Sequence, residues 1–238
     1  MFLPLVDEET DMGNGGIKKK STKPQKRKED ILRKALRLFR SKGYENTTTN
    51  DICRAAKITK PTLYYYFPSK RNLLHAVHQH TIDTILGPYL DKSISIEDPL
   101  ERLYNMLVDY TTIICYQPEL RFLLHETLNI KGKQSNKIRQ EWKRHYLLFR
   151  DTVSELKKSG KIRMELKASG TALMLLGMVT WITYWFDYKR KGTIDEIVGL
   201  VVNLTFYALG LQEYMEELGS KKVTGPDVEL PLFPRILF

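Results

Sequence analysis

The stretch "ITKPTLYYYFPSKRNLL", residues 58–74, restricts the fold more than any other part of the chain. It sets Tyr64, Tyr65 and Tyr66 in a row between a proline-bearing start and a Lys-Arg pair. A helix packed on a core buries one stripe of its surface, so three adjacent large aromatics cannot all point inward. Leu63 and Phe67, four residues apart, supply the buried side. At least one tyrosine must then face outward beside lysines. There it needs a negatively charged partner that offers an oxygen or a flat face.

Local punctuation keeps this helix short. Thr59 reads as its N-cap, Pro61 falls in the first turn where a missing N–H does no harm, and Pro68 ends it. Upstream, Ile31, Ala35, Leu38 and Phe39 stand at helical intervals in a segment that starts at Glu29 and stops at Gly43. Thr48, with Asp51 three residues on, is close to a capping box and opens a second helix that buries Ile52, Cys53 and Ala56. Lys57-Ile58 turns the chain into the tyrosine helix. Ser69 then caps a fourth helix, which carries Leu73, Leu74 and Val77 and runs on to Gly87-Pro88. Short helices joined by a tight turn over residues 48–67, with a first helix behind them, make a helix-turn-helix.

In that motif the recognition helix enters the major groove with its N-terminal residues on base edges. Lys60 can donate to guanine acceptors, while the ring of Pro61 and the methyl of Thr62 can touch a thymine methyl. Tyr64 and Tyr66 can donate phenolic hydrogen bonds to phosphate oxygens, Tyr65 completes the row, and Lys70 adds charge at the next helix start. The charge distribution agrees. The chain is +10 overall, yet residues 17–86 hold 17 Lys+Arg against 5 Asp+Glu, and residues 87–238 hold 21 against 19. A basic compact domain joined to a near-neutral larger one is the electrostatic footprint of nucleic-acid binding.

The remainder reads as helix throughout, with no strand and no internal repeat. Helical periodicity covers about 99–116 (capped by Asp98-Pro99), 118–129, 138–160, 168–188 and 193–219, for about nine helices in an all-α chain. Residues 1–27 read as a disordered basic arm, with seven Lys+Arg in residues 18–28. Residues 28–86 form the DNA-binding domain, 87–219 a larger second domain, and 220–238 an extended proline-bearing tail. The last two helices are apolar on more than one face. A single core uses one stripe of each, so the surplus predicts burial against a second subunit through Ile182, Trp185, Ile197, Val201, Leu204 and Phe206.

Other chemistry finds little support. His75 and His78 share a helical face but His80 does not, so packing is the better reading than a metal site. His125-Glu126 are adjacent and point about 100° apart on a helix, which suits effector contact or packing better than acid–base catalysis. Cys53 and Cys115 match no ligand spacing, and so few cysteines fit a reducing cytosol. The opening "MFLPLVDEETD" lacks a basic front, so no secretory leader is expected. The most apolar run, residues 172–186, falls short of the roughly 20 residues that span a bilayer. No cofactor and no membrane contact are expected.

The string "ILRKALRLFRSKGYENTTTNDICRAAKITKPTLYYYFPSKRNLLHAV", residues 31–77, resembles the DNA-binding domain of the tetracycline-repressor (TetR) family of bacterial transcriptional regulators. The resemblance rests on Ala35, Phe39, Gly43-Tyr44, Thr48, Asp51-Ile52, Ala55-Ala56, the run Thr62 to Phe67, Lys70 and Leu73-Leu74. It implies an all-helical homodimer on a pseudo-palindromic operator, with a C-terminal domain that binds a small effector and then releases DNA. By motif position it implies that Thr48, Thr49 and Asn50 start the second helix at the DNA backbone. It implies that Lys60, Pro61, Thr62 and Tyr64 enter the groove and that Tyr66 and Lys70 grip phosphate. Many members carry Gly where this chain has Pro61, so base preference does not transfer. Beyond about residue 85 only the helix pattern matches. By helix position and residue type, the candidates for an apolar or aromatic effector's pocket are Tyr104, Leu107, Tyr110, Thr111, Ile114, His125, Trp142, Met174, Met178 and Trp181. A regulator without a small-molecule effector is the alternative within the same class, and an enzyme built on a helical bundle is the alternative outside it.

Overall fold

The structure is a computed structural model, and it describes residues 22–117, 124, 136–162, 165, 167–187 and 194–215. Among these residues every regular element is helical. α1 spans Lys23–Lys42, α2 Thr49–Ala56, α3 Lys60–Tyr66 and α4 Lys70–Thr81. A π turn, Ile82–Leu86, joins α4 to α5, Gly87–Ile94. Then come α6, Pro99–Tyr116; α7, Asn136–Lys158; α8, Ala168–Trp185; and α9, Ile194–Leu209, with a short 3-10 turn at Gln212–Tyr214.

Two hydrophobic cores result. The first closes α1–α4 around Ile31, Phe39, Ile52, Leu63 and Leu73. The second closes α5–α9 around Leu90, Leu103, Met106, Phe149, Val179 and Phe206. Buried Arg102 ties α6 to α7: its Nε donates to Thr152 Oγ1 at 2.9 Å, and its guanidinium also reaches the Glu155 carboxylate and the Ile96 carbonyl. Among the described residues no helix is long and apolar enough to cross a membrane.

The expected caps are in place. Asp51 N–H donates to Thr48 Oγ1 at 3.1 Å while Thr48 N–H donates back to Asp51 Oδ2 at 3.0 Å, a complete capping box. Asn72 N–H donates to Ser69 Oγ at 3.1 Å, and Glu101 N–H to Asp98 Oδ2 at 3.0 Å. Gly160, with φ 73°, lies just past the end of α7.

Three boundaries differ from the sequence reading. Lys23–Arg27 belong to α1 and not to a disordered arm, because a helix nucleated on the buried Ile31 stripe propagates at one hydrogen bond per residue. Gly87-Pro88 does not end the fourth helix. Pro88 cannot donate to the preceding turn, and the helix widens there, with Gly87 N–H bonded five residues back to Ile82 O, and continues as α5. The last long helix ends at Leu209 rather than near Gly219, where Gly210 takes φ 72°. Residues 1–21, the expected helix at 118–129 (Leu124 apart) and the tail at 220–238 lie outside the described residues.

Candidate nucleic-acid interface and effector core

The turn that sets α3 against α2 is built by Lys57. Its φ of 51° and ψ of 52° are left-handed, and Ile58 N–H closes the turn on Cys53 O at 3.0 Å. Arg27, in the first turns of α1, donates from Nη2 to Lys57 O at 3.1 Å. The start of α1 therefore braces the turn.

The residues expected to face DNA flank that turn on α2 and α3. Asn50, Lys60 and Pro61 are exposed, and Thr49 and Thr62 are half-buried. Thr48 spends both its backbone N–H and its hydroxyl on Asp51, so it places the start of α2. Asp51, with Lys42 at 3.4 Å, has its pKa lowered to about 2 by the bonds from Thr48 and then by Lys42. The Thr62 hydroxyl lies 2.9 Å from that of Thr59, which leaves its methyl for an apolar contact. The tyrosine row divides. Tyr65 is 82% exposed and Tyr64 45%, whereas Tyr66 leans on the core beside Phe67. Lys70 is held in place, donating from Nζ to Glu45 O at 3.1 Å and lying 4.3 Å from the centre of the Tyr44 ring. His75 and His78 are buried in α4, and among the described residues no group of three or more His, Cys, Asp or Glu could hold a metal.

The expected effector candidates separate into two places. Leu107, Tyr110, Thr111 and Ile114 are buried on α6. Tyr104 and Trp142 pack part-buried against the same core. Tyr110 Oη lies 3.2 Å from Thr180 Oγ1 on α8. Met174 and Trp181 do not join them. They are 74% and 62% exposed, because α8 is apolar on several faces and these two fall on the outer one. With Met178 they line an open groove between α8 and α9, together with Ile182, Trp185, Ile197, Val201 and Leu204. Five of the six residues expected at a dimer interface are therefore in this groove. The sixth, Phe206, is fully buried and packs edge-on against Tyr104 at 6.1 Å, so it belongs to the protomer's own core. His125 lies outside the described residues.

The inner core holds two further polar residues that sequence reasoning missed as site members. His145 on α7 is fully buried, with the rings of Tyr110 and Tyr89 at 4.6 and 5.4 Å between centres. Burial pulls its pKa down to about 3, so it is neutral at physiological pH. Tyr89 on α5 reaches its Nε2 at 3.3 Å. The sequence signal was only that His145 falls in step with Trp142 and Phe149 on a buried face.

Residues 31–77 match the family model described as bacterial regulatory proteins, tetR family, and residues 97–209 match a tetracyclin repressor-like C-terminal domain. The HTH-type transcriptional repressor KstR2 of Rhodococcus jostii is 26% identical over 181 residues, which are 72% of this chain and 85% of that one. The KstR2 repressor of Mycolicibacterium smegmatis is 26% identical over 110 residues, and there the match spans about half (54%) of the relative's length. The crystal structure of AibR in complex with isovaleryl coenzyme A and operator DNA superimposes with a TM-score of 0.65 at 27% identity, covering 73% of this chain and 97% of that one. The chain belongs to the TetR family of bacterial regulatory proteins, as a DNA-binding transcriptional regulator and not an enzyme.

Proposed function

We propose that the protein is a homodimeric, cytoplasmic repressor that holds a pseudo-palindromic operator and leaves it when a small, largely apolar effector enters the α5–α8 core. The observation that carries this reading is the continuity of α4 and α5. The helix that packs behind the helix-turn-helix runs unbroken, through one π turn, to Tyr89 in the aromatic centre of the second domain. An occupant of that centre acts directly on the helix that aims the DNA-reading surface. AibR, seen with both isovaleryl coenzyme A and operator DNA, is a relative in which one protein binds both kinds of partner.

The dimer reading is supported by the α8–α9 face. Leu173, Met174, Trp181, Tyr184, Trp185, Leu200, Leu204 and Tyr207 are each more than half exposed on it. Monomeric proteins rarely expose so large a contiguous apolar patch. The groove, about 450 Å³, is large enough for a small ligand, yet its open form and the exposed tyrosines beside it suit two helices of a second copy better. A two-fold axis here presents two recognition helices to one DNA face, as a palindromic site requires.

Selection of bound sequences from random duplex DNA tests the core of the proposal. It should return a two-fold-related pair of half-sites about one helical turn apart, or a multiple of it. A unique, asymmetric or sequence-independent footprint would contradict it. Mass spectrometry of the purified protein under native conditions should show a dimer, and a retained small molecule where purification preserves it.

A further inference from the structure

Among the described residues, four uncharged rings pack on His145: Tyr110, Phe149, Tyr89 and Trp142, at 4.6, 5.3, 5.4 and 6.2 Å between ring centres. A neutral imidazole carries one N–H and one lone pair. Its Nε2 faces Tyr89 Oη, but its Nδ1 is buried with no hydrogen-bond partner among the described residues. The indole Nε1 of Trp142, about one helical turn earlier on α7, is in the same position. Buried polar atoms are almost always paired, so two such atoms on one face of α7, in one aromatic cluster, mark a place where a polar group is received.

We propose that Trp142 and His145 receive an uncharged oxygen of the effector, a carbonyl or a hydroxyl carried on an apolar body, and that they reject a carboxylate. The proposal rests on the effector-responsive reading above and names its ligand class. The indole N–H can only donate, so the ligand group must accept. Among the described residues burial alone, and no cation, acts on the His145 ring, so none is there to pair with a carboxylate. Asp109, beside Tyr110 in sequence and 3.0 Å from Lys92, contributes negative field at Tyr89. An ionised group there is buried without compensation, and a neutral oxygen is not.

The same contact sets the direction of Tyr89. Its hydroxyl has one hydrogen and two acceptors in reach, Met106 O at 3.5 Å and His145 Nε2 at 3.3 Å. A ligand carbonyl takes a hydrogen from Nδ1, which leaves Nε2 as the lone pair and turns the Tyr89 hydroxyl toward it. A ligand hydroxyl that donates to Nδ1 moves the imidazole hydrogen to Nε2, and Tyr89 then turns to Met106 O. Either way the ligand oxygen fixes a group on α5.

The experiment uses the full-length protein and four probes of equal chain length: octan-2-one, octan-1-ol, octanoate and octane. Calorimetry should show the ketone and the alcohol binding, with octanoate weaker by roughly a hundredfold. Trp142→Phe should weaken the ketone and alcohol by roughly tenfold and leave octane unchanged. Nitrogen-15 NMR of His145 should place the hydrogen on Nδ1 with the ketone and on Nε2 with the alcohol. Octanoate binding as tightly as the ketone, in the wild-type protein alone, overturns the proposal. So does a Trp142→Phe variant that binds all probes as before, and so does failure of both ketone and alcohol to bind. Release of the selected DNA by octanoate and not by the ketone or alcohol, read by fluorescence anisotropy of the labelled duplex, would leave the effector-responsive reading standing while this ligand class falls.

Discussion

Leu204 offers a clean test of the subunit interface. It lines the α8–α9 groove and is 53% exposed in the protomer, so truncating it disturbs the protomer core little. Complete burial of a leucine side chain is worth about 1.5–3 kcal/mol, so the half still exposed carries about 1 kcal/mol per protomer. A two-fold interface counts the residue twice, and Leu204→Ala should weaken the dimer by about 2 kcal/mol, or roughly 30-fold in Kd. Leu204→Glu should cost more, since it places a carboxylate in an apolar groove. Sedimentation velocity over a dilution series from micromolar to nanomolar measures both. Tyr116→Ala is the control. Tyr116 is also half exposed but lies off the groove, at the end of α6, and its loss should leave the Kd unchanged. Phe206→Ala behaves differently again. That ring is fully buried, so its removal should cost the protomer about 3–5 kcal/mol and appear as a lower melting temperature rather than a cleanly dissociated, folded monomer. Wild-type dimer constants for both Leu204 variants would mean that this groove is not the interface.

Lys60→Ala should cost roughly 1–3 kcal/mol on the selected site and little on random DNA, whereas Lys70→Ala should weaken both alike, because phosphate contacts position without carrying sequence information; equal losses for Lys60→Ala on both DNAs would remove it from base readout. Deleting residues 1–21 takes away Lys18, Lys19 and Lys20 but spares α1, and it should flatten the slope of log K against log salt by up to about 0.9 per lost phosphate contact with the specificity ratio unchanged; an unaltered slope would show that these lysines never meet DNA. Asp51 has a folded pKa near 2 against an ordinary value of 3.8, so the capping-box contribution is fully present above the ordinary value and is lost as pH falls through the folded one. The stability gap between wild type and Asp51→Asn, from urea titrations, should hold steady near neutrality and close between about pH 4 and pH 2; a gap that widens on acidification would contradict the assignment.

The DNA-binding half was legible because its determinants are local. An N-cap oxygen and the N–H it accepts from lie within one turn of each other, so Thr48 and Ser69 declared their helices whatever the rest of the chain did, as Asp98 did in the second domain. The one missed start shares the sequence pattern of a capped one, though Thr22 makes no side-chain cap bond. Thr22-Lys23-Pro24 repeats Thr59-Lys60-Pro61, and both open a helix with a proline in its first turn. The basic, apolar-poor sequence after Pro24 hid the first instance, since helical periodicity there begins only at Ile31. Gly87-Pro88 misled for the opposite reason. The pair usually stops a helix, but a π turn absorbs the missing N–H and keeps α4 and α5 joined.

The effector half was less legible, because which face of an apolar helix turns inward is decided by its neighbours. α8 and α9 are apolar on several sides, so their sequence carries a surplus of hydrophobic surface but no phase. The surplus was enough to predict a second buried surface. It was not enough to place Met174 and Trp181 on the outside or Phe206 on the inside. Those positions follow from packing: Phe206 is held edge-on by Tyr104 from α6, and once it points inward Leu204, two residues earlier and about 200° around the helix, must point out. The same dependence hid His145. A histidine in step with Trp142 and Phe149 reads as core, and it is core. What distinguishes it is Tyr89, 56 residues away in the chain, which engages Nε2 while Nδ1 has no partner among the described residues.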